Sequence, residues 1–165
     1  LTFWKYNPTP TPFIGSDGGV IQLPKVMFSK NRQRTLFDIK NLEKFSKNNE
    51  PIFILEGEKD CLNALANGFN AITLGSATQN IDNKFLNYFK DKYVVIAYDF
   101  DESGKNGSKI LEKDLKGITK KTEIIDWEKI AKKLGFAYKL KKGFDFTDYL
   151  KIISSNSKII EKNIN

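Results

Sequence analysis

The chain has 165 residues and a formal net charge of +7, enough length for one domain with a real core and a small appendage. A single cysteine, Cys61, and no histidine exclude disulfides, zinc fingers, Ser-His-Asp or Cys-His catalysis and any histidine base within this chain. The positive charge favours a polyanionic partner, although Lys-, Asn- and Ile-rich usage also arises from a general compositional bias.

Residues 1–50 read as a basic N-terminal lead-in. Asn7-Pro-Thr-Pro-Thr-Pro12 is extended and turn-prone, since each proline blocks a ladder bond. Gly15-Ser-Asp-Gly-Gly19 predicts a turn between Phe13-Ile14 and Val20-Ile21, as in a hairpin. Lys30-Asn-Arg-Gln-Arg34 is a compact basic cluster, with Arg32 and Arg34 as candidate nucleic-acid contacts or as part of a solvated loop. A short helix is expected through Leu36, Ile39, Leu42 and Phe45, and Ser46-Lys-Asn-Asn-Glu50-Pro51 reads as a linker. No apolar run reaches the length of a membrane span and no signal peptide is visible, so a cytoplasmic protein without a membrane partner is expected. A chain that begins on Leu1 rather than Met reads as a piece of something longer.

From 51 to 153 strands alternate with helices. The apolar run Ile52-Phe-Ile-Leu55 predicts a buried strand that ends abruptly in Glu56-Gly-Glu-Lys-Asp60. Glu56 then stands at the C-terminal end of a strand, where open α/β sheets build their sites. Asp60 is expected to start a helix over Cys61–Ala66, closed by Gly68. Ala71–Leu74 is a short second strand, followed by Gly75-Ser-Ala-Thr78, residues small enough to let a phosphate approach. Helical spacing covers Ile81 to Lys92 through Ile81, Phe85, Leu86 and Phe89. Tyr93–Tyr98 is a third strand, and it delivers Asp99-Phe-Asp-Glu-Ser-Gly104. Gly104-Lys-Asn-Gly107 reads as a flexible turn, with Ser108 capping a helix through Ile110, Leu111 and Leu115. Thr122–Asp126 is a fourth strand, Ile130, Ala131 and Leu134 a further short helix stopped by Gly135, and residues 154–165 a polar tail. The expected fold class is α/β, a mainly parallel sheet of about four strands flanked by helices.

Alternation along an extended chain puts Asp99 and Asp101 on one side, where two carboxylates repel unless a cation lies between them. Oxygen-only ligands suit Mg²⁺, or Mn²⁺, better than zinc. A carboxylate pair on one strand facing a lone glutamate on another describes a metal-dependent phosphoryl-transfer site.

These residues resemble the TOPRIM domain, a Rossmann-like fold shared by bacterial-type primases, type IA and II topoisomerases and some nucleases. Three ordered pieces carry the resemblance: Glu56-Gly-Glu-Lys-Asp60, Asp99-Phe-Asp-Glu-Ser-Gly104, and Lys142-Gly-Phe-Asp-Phe-Thr-Asp-Tyr-Leu150. The Ser103-Gly104 ending departs from the topoisomerase form, and the last piece is similar to that of phage and plasmid primases, so the primase or primase-helicase branch is implied. The resemblance implies Mg²⁺ held by Asp99 and Asp101, completed by Asp145, with Glu56 as general base toward a primer hydroxyl or as a further ligand. Asp60 and Asp148 are additional acids in that picture, or else acids serving a helix terminus. Lys59 and Lys105 are candidate phosphate contacts or solvated lysines, while Glu58 and Glu102 are expected to face solvent or pair with Lys. Gly57 and Gly104 are expected where the backbone needs freedom beside the site.

The implied activity is nucleotidyl transfer of the DNA-primase type, making primers in DNA replication from nucleoside triphosphates on a single-stranded DNA template. A helicase, fused or separate, is the further partner implied. No zinc module is possible in this chain, and no Gly-x-x-x-x-Gly-Lys-Ser/Thr loop of a helicase motor occurs. Two other classes remain: a TOPRIM nuclease, and a non-catalytic nucleic-acid-binding or docking module of a larger replication protein. A lone domain of this size has little surface for template, primer and nucleotide together, so the chain by itself is expected to be poorly active. The Asp-x-Asp-x-Ser pattern also matches haloacid-dehalogenase-like phosphatases, but there it opens the domain, whereas here it lies on the third strand.

Overall fold

The computed structural model describes residues 4–6, 12–21, 26–28, 36 and 39–164. Backbone contacts divide the chain into two units, Leu1–Arg34 and Thr35–Asn165. In the first, β1 (Trp4–Tyr6), β2 (Phe13–Ile14), β3 (Val20–Ile21) and β4 (Val26–Phe28) form two antiparallel pairs, β1 with β4 and β2 with β3. The expected hairpin forms, with Gly15 N donating to the Gly19 carbonyl at 2.8 Å and Gly18 in the left-handed region at φ 78°. The Lys30–Arg34 cluster, with Arg32 and Arg34, lies outside the described residues.

The second unit opens with α1 (Ile39–Phe45), followed by β5 (Ile52–Leu55), α2 (Glu58–Ala66), β6 (Asn70–Thr73) and α3 (Asn83–Leu86). It continues with β7 (Tyr93–Ala97), α4 (Glu102–Leu115), β8 (Lys121–Ile124), α5 (Trp127–Lys133) and α6 (Phe146–Ile164). The four strands pair in the order β6-β5-β7-β8, all parallel.

Alternation along each strand splits the core into two layers. Ile52, Ile54, Ile72, Val94, Ile96 and Tyr98 pack with Leu42, Phe45, Phe85, Leu111 and Leu115, which belong to α1, α3 and α4 or border them. Leu55, Ala71 and Ala97 pack on the other face with Cys61, Ala64, Trp127, Ala131, Phe146 and Leu150 of α2, α5 and α6. Because both faces are covered, the strands carry unbroken apolar runs rather than alternation. The chain steps from β5 outward to β6, then back across to β7, so the strand order reverses between β5 and β7. That reversal opens a crevice at the carboxyl ends of these two strands, the position where doubly wound sheets bind ligands. Among the described residues no helix is long and apolar enough to cross a membrane.

Four local expectations are corrected. Gly104–Gly107 is not a turn: α4 begins at Glu102 and runs through both glycines, with Ser108 buried inside it rather than capping it. A Cβ at Gly104 would overlap the Asp99 carbonyl, and one at Gly107 the Ala77 carbonyl. The glycines let the helix backbone lie directly on the strand end and the loop after β6, which offsets a helix-propensity cost of about 1 kcal/mol each. The helix α2 starts at Glu58 with Gly57 as its N-cap, so Asp60 is a first-turn acid and not the start. The expected helix from Ile81 to Lys92 is broken into α3 and a 3₁₀ turn, Asn87–Phe89, which carries Phe89 into the core. Asp91 then turns the chain into β7 from a φ of 59°. Finally, α6 runs on through residues 154–164, where a tail was expected.

Candidate acidic site at the strand ends

Glu56 directly follows β5, and Asp99 lies two residues past β7. The Glu56 Oε2 accepts from Asp99 N at 3.4 Å, and Thr73 Oγ1 donates to the Glu56 carbonyl at 2.9 Å. The ends of β6, β5 and β7 are thus tied together across the crevice. Past Asp99 the chain turns tightly, with Asp101 N on the Asp99 carbonyl at 2.8 Å, and Asp101 becomes the N-cap of α4 by accepting from Gly104 N at 2.8 Å.

The trailing segment joins the site through main-chain pairing. Phe100 and Phe144 form an isolated antiparallel bridge, Phe100 N donating to the Phe144 carbonyl at 2.8 Å and Gly143 N to the Phe100 carbonyl at 3.0 Å. This sets Asp145 beside the Asp99–Asp101 stretch. Asp145 Oδ1 accepts from Asp148 N at 2.8 Å at the start of α6, and its Oδ2 pairs with Lys59 Nζ at 2.7 Å. Asp60, only 6% exposed, accepts from Thr147 N at 3.0 Å and from the Thr147 hydroxyl, which in turn accepts from Asn63 Nδ2 at 2.8 Å. Asp60 therefore anchors α6 to α2 from its place in the first turn.

The fold brings Glu56, Asp60, Asp99, Asp101 and Asp145 into one neighbourhood, but it uses several of their oxygens for structure. Asp148 stands apart: Asp145 accepts its N–H, and its own carboxylate pairs with Lys151 at 3.2 Å. Lys59 spends its ammonium on Asp145 rather than standing free. Lys105 is exposed on α4 and lines a cleft of about 1010 Å³ together with Asp99, Asp101, Lys109, Trp127 and Lys142. Gly57 is extended at φ −123°, ψ 159°, a conformation open to any residue, and a Cβ there would make only an ordinary contact with Asp60. Gly104 is needed for closeness to Asp99, not for backbone freedom.

Burial pushes the Asp99 carboxyl up to about 7, and the charges of Glu56, Asp60, Asp145 and Asp101 add to it. Burial also raises Glu56; the Asp99 N–H opposes this, and Asp101 and Asp60 reinforce it. Lys59 is opposed by its own desolvation, yet its bond to Asp145 and the charges of Asp60, Asp145 and Asp148 carry it above the ordinary lysine range. Among the described residues no three acids, histidines or cysteines converge to hold a metal ion as folded. The donor chemistry nevertheless fits a hard divalent cation: all oxygen, partly desolvated, and short of positive charge at Asp99. Mg²⁺ is commonly held by one or two carboxylates with water and phosphate oxygens filling the remaining positions, so a closed cage is not required.

Sequence reading passed over Thr147, Asn63, Tyr98 and Trp127. Trp127 Nε1 donates to the Tyr98 carbonyl at 2.8 Å and so fixes the residue preceding Asp99. The spacing Asp145-x-x-Asp148 at a helix start was the available signal for this cap, because it places a short acceptor three residues before a first-turn N–H. Nothing local marks Thr147 as the partner of Asp60, which lies 87 positions away.

An open parallel α/β sheet with acids gathered at its switch point defines the class of this domain. Residues 53–133 match the Toprim-like family, and this stretch is a Toprim-like domain. Among solved structures, the DnaG catalytic core is similar at a TM-score of 0.45 and 18% identity, over 86% of this chain and 54% of that one. The chain thus spans about half the length of that structure. No curated protein matches it.

Proposed function

We propose that this chain is the catalytic domain of a primase-like DNA replication protein of the phage or plasmid kind, which transfers nucleotidyl groups onto a primer. The observation that carries the reading is the gathering of Glu56, Asp99, Asp101 and Asp145 at the sheet's switch point, where burial and the neighbouring charges push the Asp99 carboxyl up. A site so short of positive charge favours a divalent cation and, through it, phosphate. Asp99 and Asp101 would hold Mg²⁺; the Asp101 cap on α4 uses Oδ1. Asp145 would join them once Lys59 is drawn off toward a phosphate. When bound, Mg²⁺ supplies neutralisation of phosphate charge and alignment of the attacking and leaving oxygens.

Glu56 would accept the proton of the primer 3′-hydroxyl or serve as a further ligand of the cation; burial raises its pKa, which suits a general base. Lys105, Lys109 and Lys142 on the cleft wall give the nucleic acid and triphosphate a cationic path. The partners under this reading are single-stranded DNA, nucleoside triphosphates and a helicase, in the cytoplasm.

Calorimetric titration of Mn²⁺ into the chain and into Asp99→Asn/Asp101→Asn tests the site. Binding by the first, lost in the second with the fold intact, is expected, and primer synthesis by a longer protein containing this chain should then fail with the same substitutions. Equal binding by both, or none by either, refutes the reading. A second reading, a non-catalytic docking module, draws on the engagement of Asp60, Asp101 and Asp145 in structural bonds. Metal and nucleotide binding without primer synthesis by the longer protein would favour it.

A further inference from the structure

Tyr98 carries the one buried side-chain polar atom, its hydroxyl, that has no hydrogen-bond partner among the described residues. The residue is only 3% exposed and packs with Val94 and Ile96 in the layer beneath α4. A phenylalanine would fill the same space without leaving a donor unpaired, a loss native cores rarely tolerate without a reason.

The sheet register shows which residue stands beside Tyr98. Leu55 pairs with Ala97, so one further step along the parallel ladder brings Glu56 beside Tyr98. Alternation from Ile54 and Ile96 turns both side chains to the α4 layer, on strands about 4.8 Å apart. Glu56 already leans toward the end of β7, but through a long 3.4 Å contact to Asp99 N. At neutral pH a phenol is protonated and is therefore a donor. Tyr98 is held from both ends, by its core packing and by Trp127 Nε1 on its carbonyl at 2.8 Å. The donor is fixed, and the acceptor is half-buried and weakly held.

We propose that Tyr98 is a positioning residue for Glu56: its hydroxyl donates to one carboxylate oxygen when Glu56 turns toward a cation at Asp99, and so fixes which oxygen faces that cation. The inference rests on the metal reading above. An outer hydrogen-bond partner of this kind tunes a metal site without touching the ion.

The test is Tyr98→Phe, measured by Mn²⁺ titration calorimetry and by thermal unfolding in chelated buffer. Mn²⁺ affinity should fall roughly tenfold, while the melting temperature stays equal or rises, because an unpaired buried hydroxyl has been removed. In a Glu56→Gln background the same substitution should produce no further loss, since the two residues act as one unit. Unchanged Mn²⁺ affinity in Tyr98→Phe overturns the inference, as does an independent, additive loss in the double variant. A lower affinity accompanied by a lower melting temperature also overturns it, assigning the hydroxyl to the fold. Failure of the wild-type chain to bind Mn²⁺ would remove the metal reading and this inference together; binding lost in Asp99→Asn but kept in Tyr98→Phe removes this inference alone.

Discussion

Replacing Asp99 by asparagine in metal-free protein should stabilise it above about pH 4, with the full effect reached near pH 7. Asp99 is an acid whose folded pKa, about 7, lies above its ordinary 3.8, first because of burial and then because of Glu56 and the other acids. Below about pH 4 the group is protonated in both folded and unfolded chains, and no penalty exists. Between about pH 4 and 7 the unfolded chain releases the Asp99 proton while the folded one, desolvated, keeps it, so stability is progressively lost; above about 7 both are charged and the loss is complete. The difference between 3.8 and about 7 corresponds to about 4 kcal/mol at most. Asp99 is only partly buried, and solvent screening brings the expected effect to about 2 kcal/mol. Asparagine keeps the shape and removes the charge. For a chain of this size, its melting temperature should exceed the wild type's by about 5 °C at pH 8 and match it at pH 4. Thermal unfolding followed by circular dichroism, with a chelator present, at pH 4, 6 and 8 measures this. An offset independent of pH, or an asparagine variant less stable at pH 8, would refute the reasoning. With saturating Mg²⁺ the order at pH 8 should reverse, because only the wild type gains binding free energy.

Four other outcomes can be checked alongside. Gly104→Ala should cost about 3 kcal/mol in urea unfolding, since its Cβ meets the Asp99 main chain. Gly117→Ala, at φ 81° in open space, should cost only about 1 kcal/mol. Thr147→Val removes the hydroxyl shared by Asp60 and Asn63 and should cost about 2 kcal/mol, with faster hydrogen exchange at the first turn of α6. Lys59→Ala should cost under about 1 kcal/mol, because the lysine side chain is 64% exposed, and the effect should vanish in molar salt.

The parallel sheet was legible because its strands are covered on both faces. Ile52–Leu55 and Tyr93–Ala97 carry apolar side chains toward two helical layers, and that demand writes itself as unbroken runs. Where such a run stops, the strand stops, so Glu56 and Asp99 could be placed at strand ends from the sequence alone. Local propensity failed where a close tertiary approach overruled it. Gly104 and Gly107 carry the composition of a turn, yet they form the part of α4 that presses on Asp99 and Ala77. Which partner each acid takes was also beyond the sequence. Asp60 on Thr147, Lys59 on Asp145, Phe100 on Phe144 and Glu56 beside Tyr98 all join residues far apart along the chain. Such pairs leave no periodicity behind. They exist because folding the helices onto the sheet brings each donor to the nearest desolvated acceptor, a choice made by packing and not by any single segment.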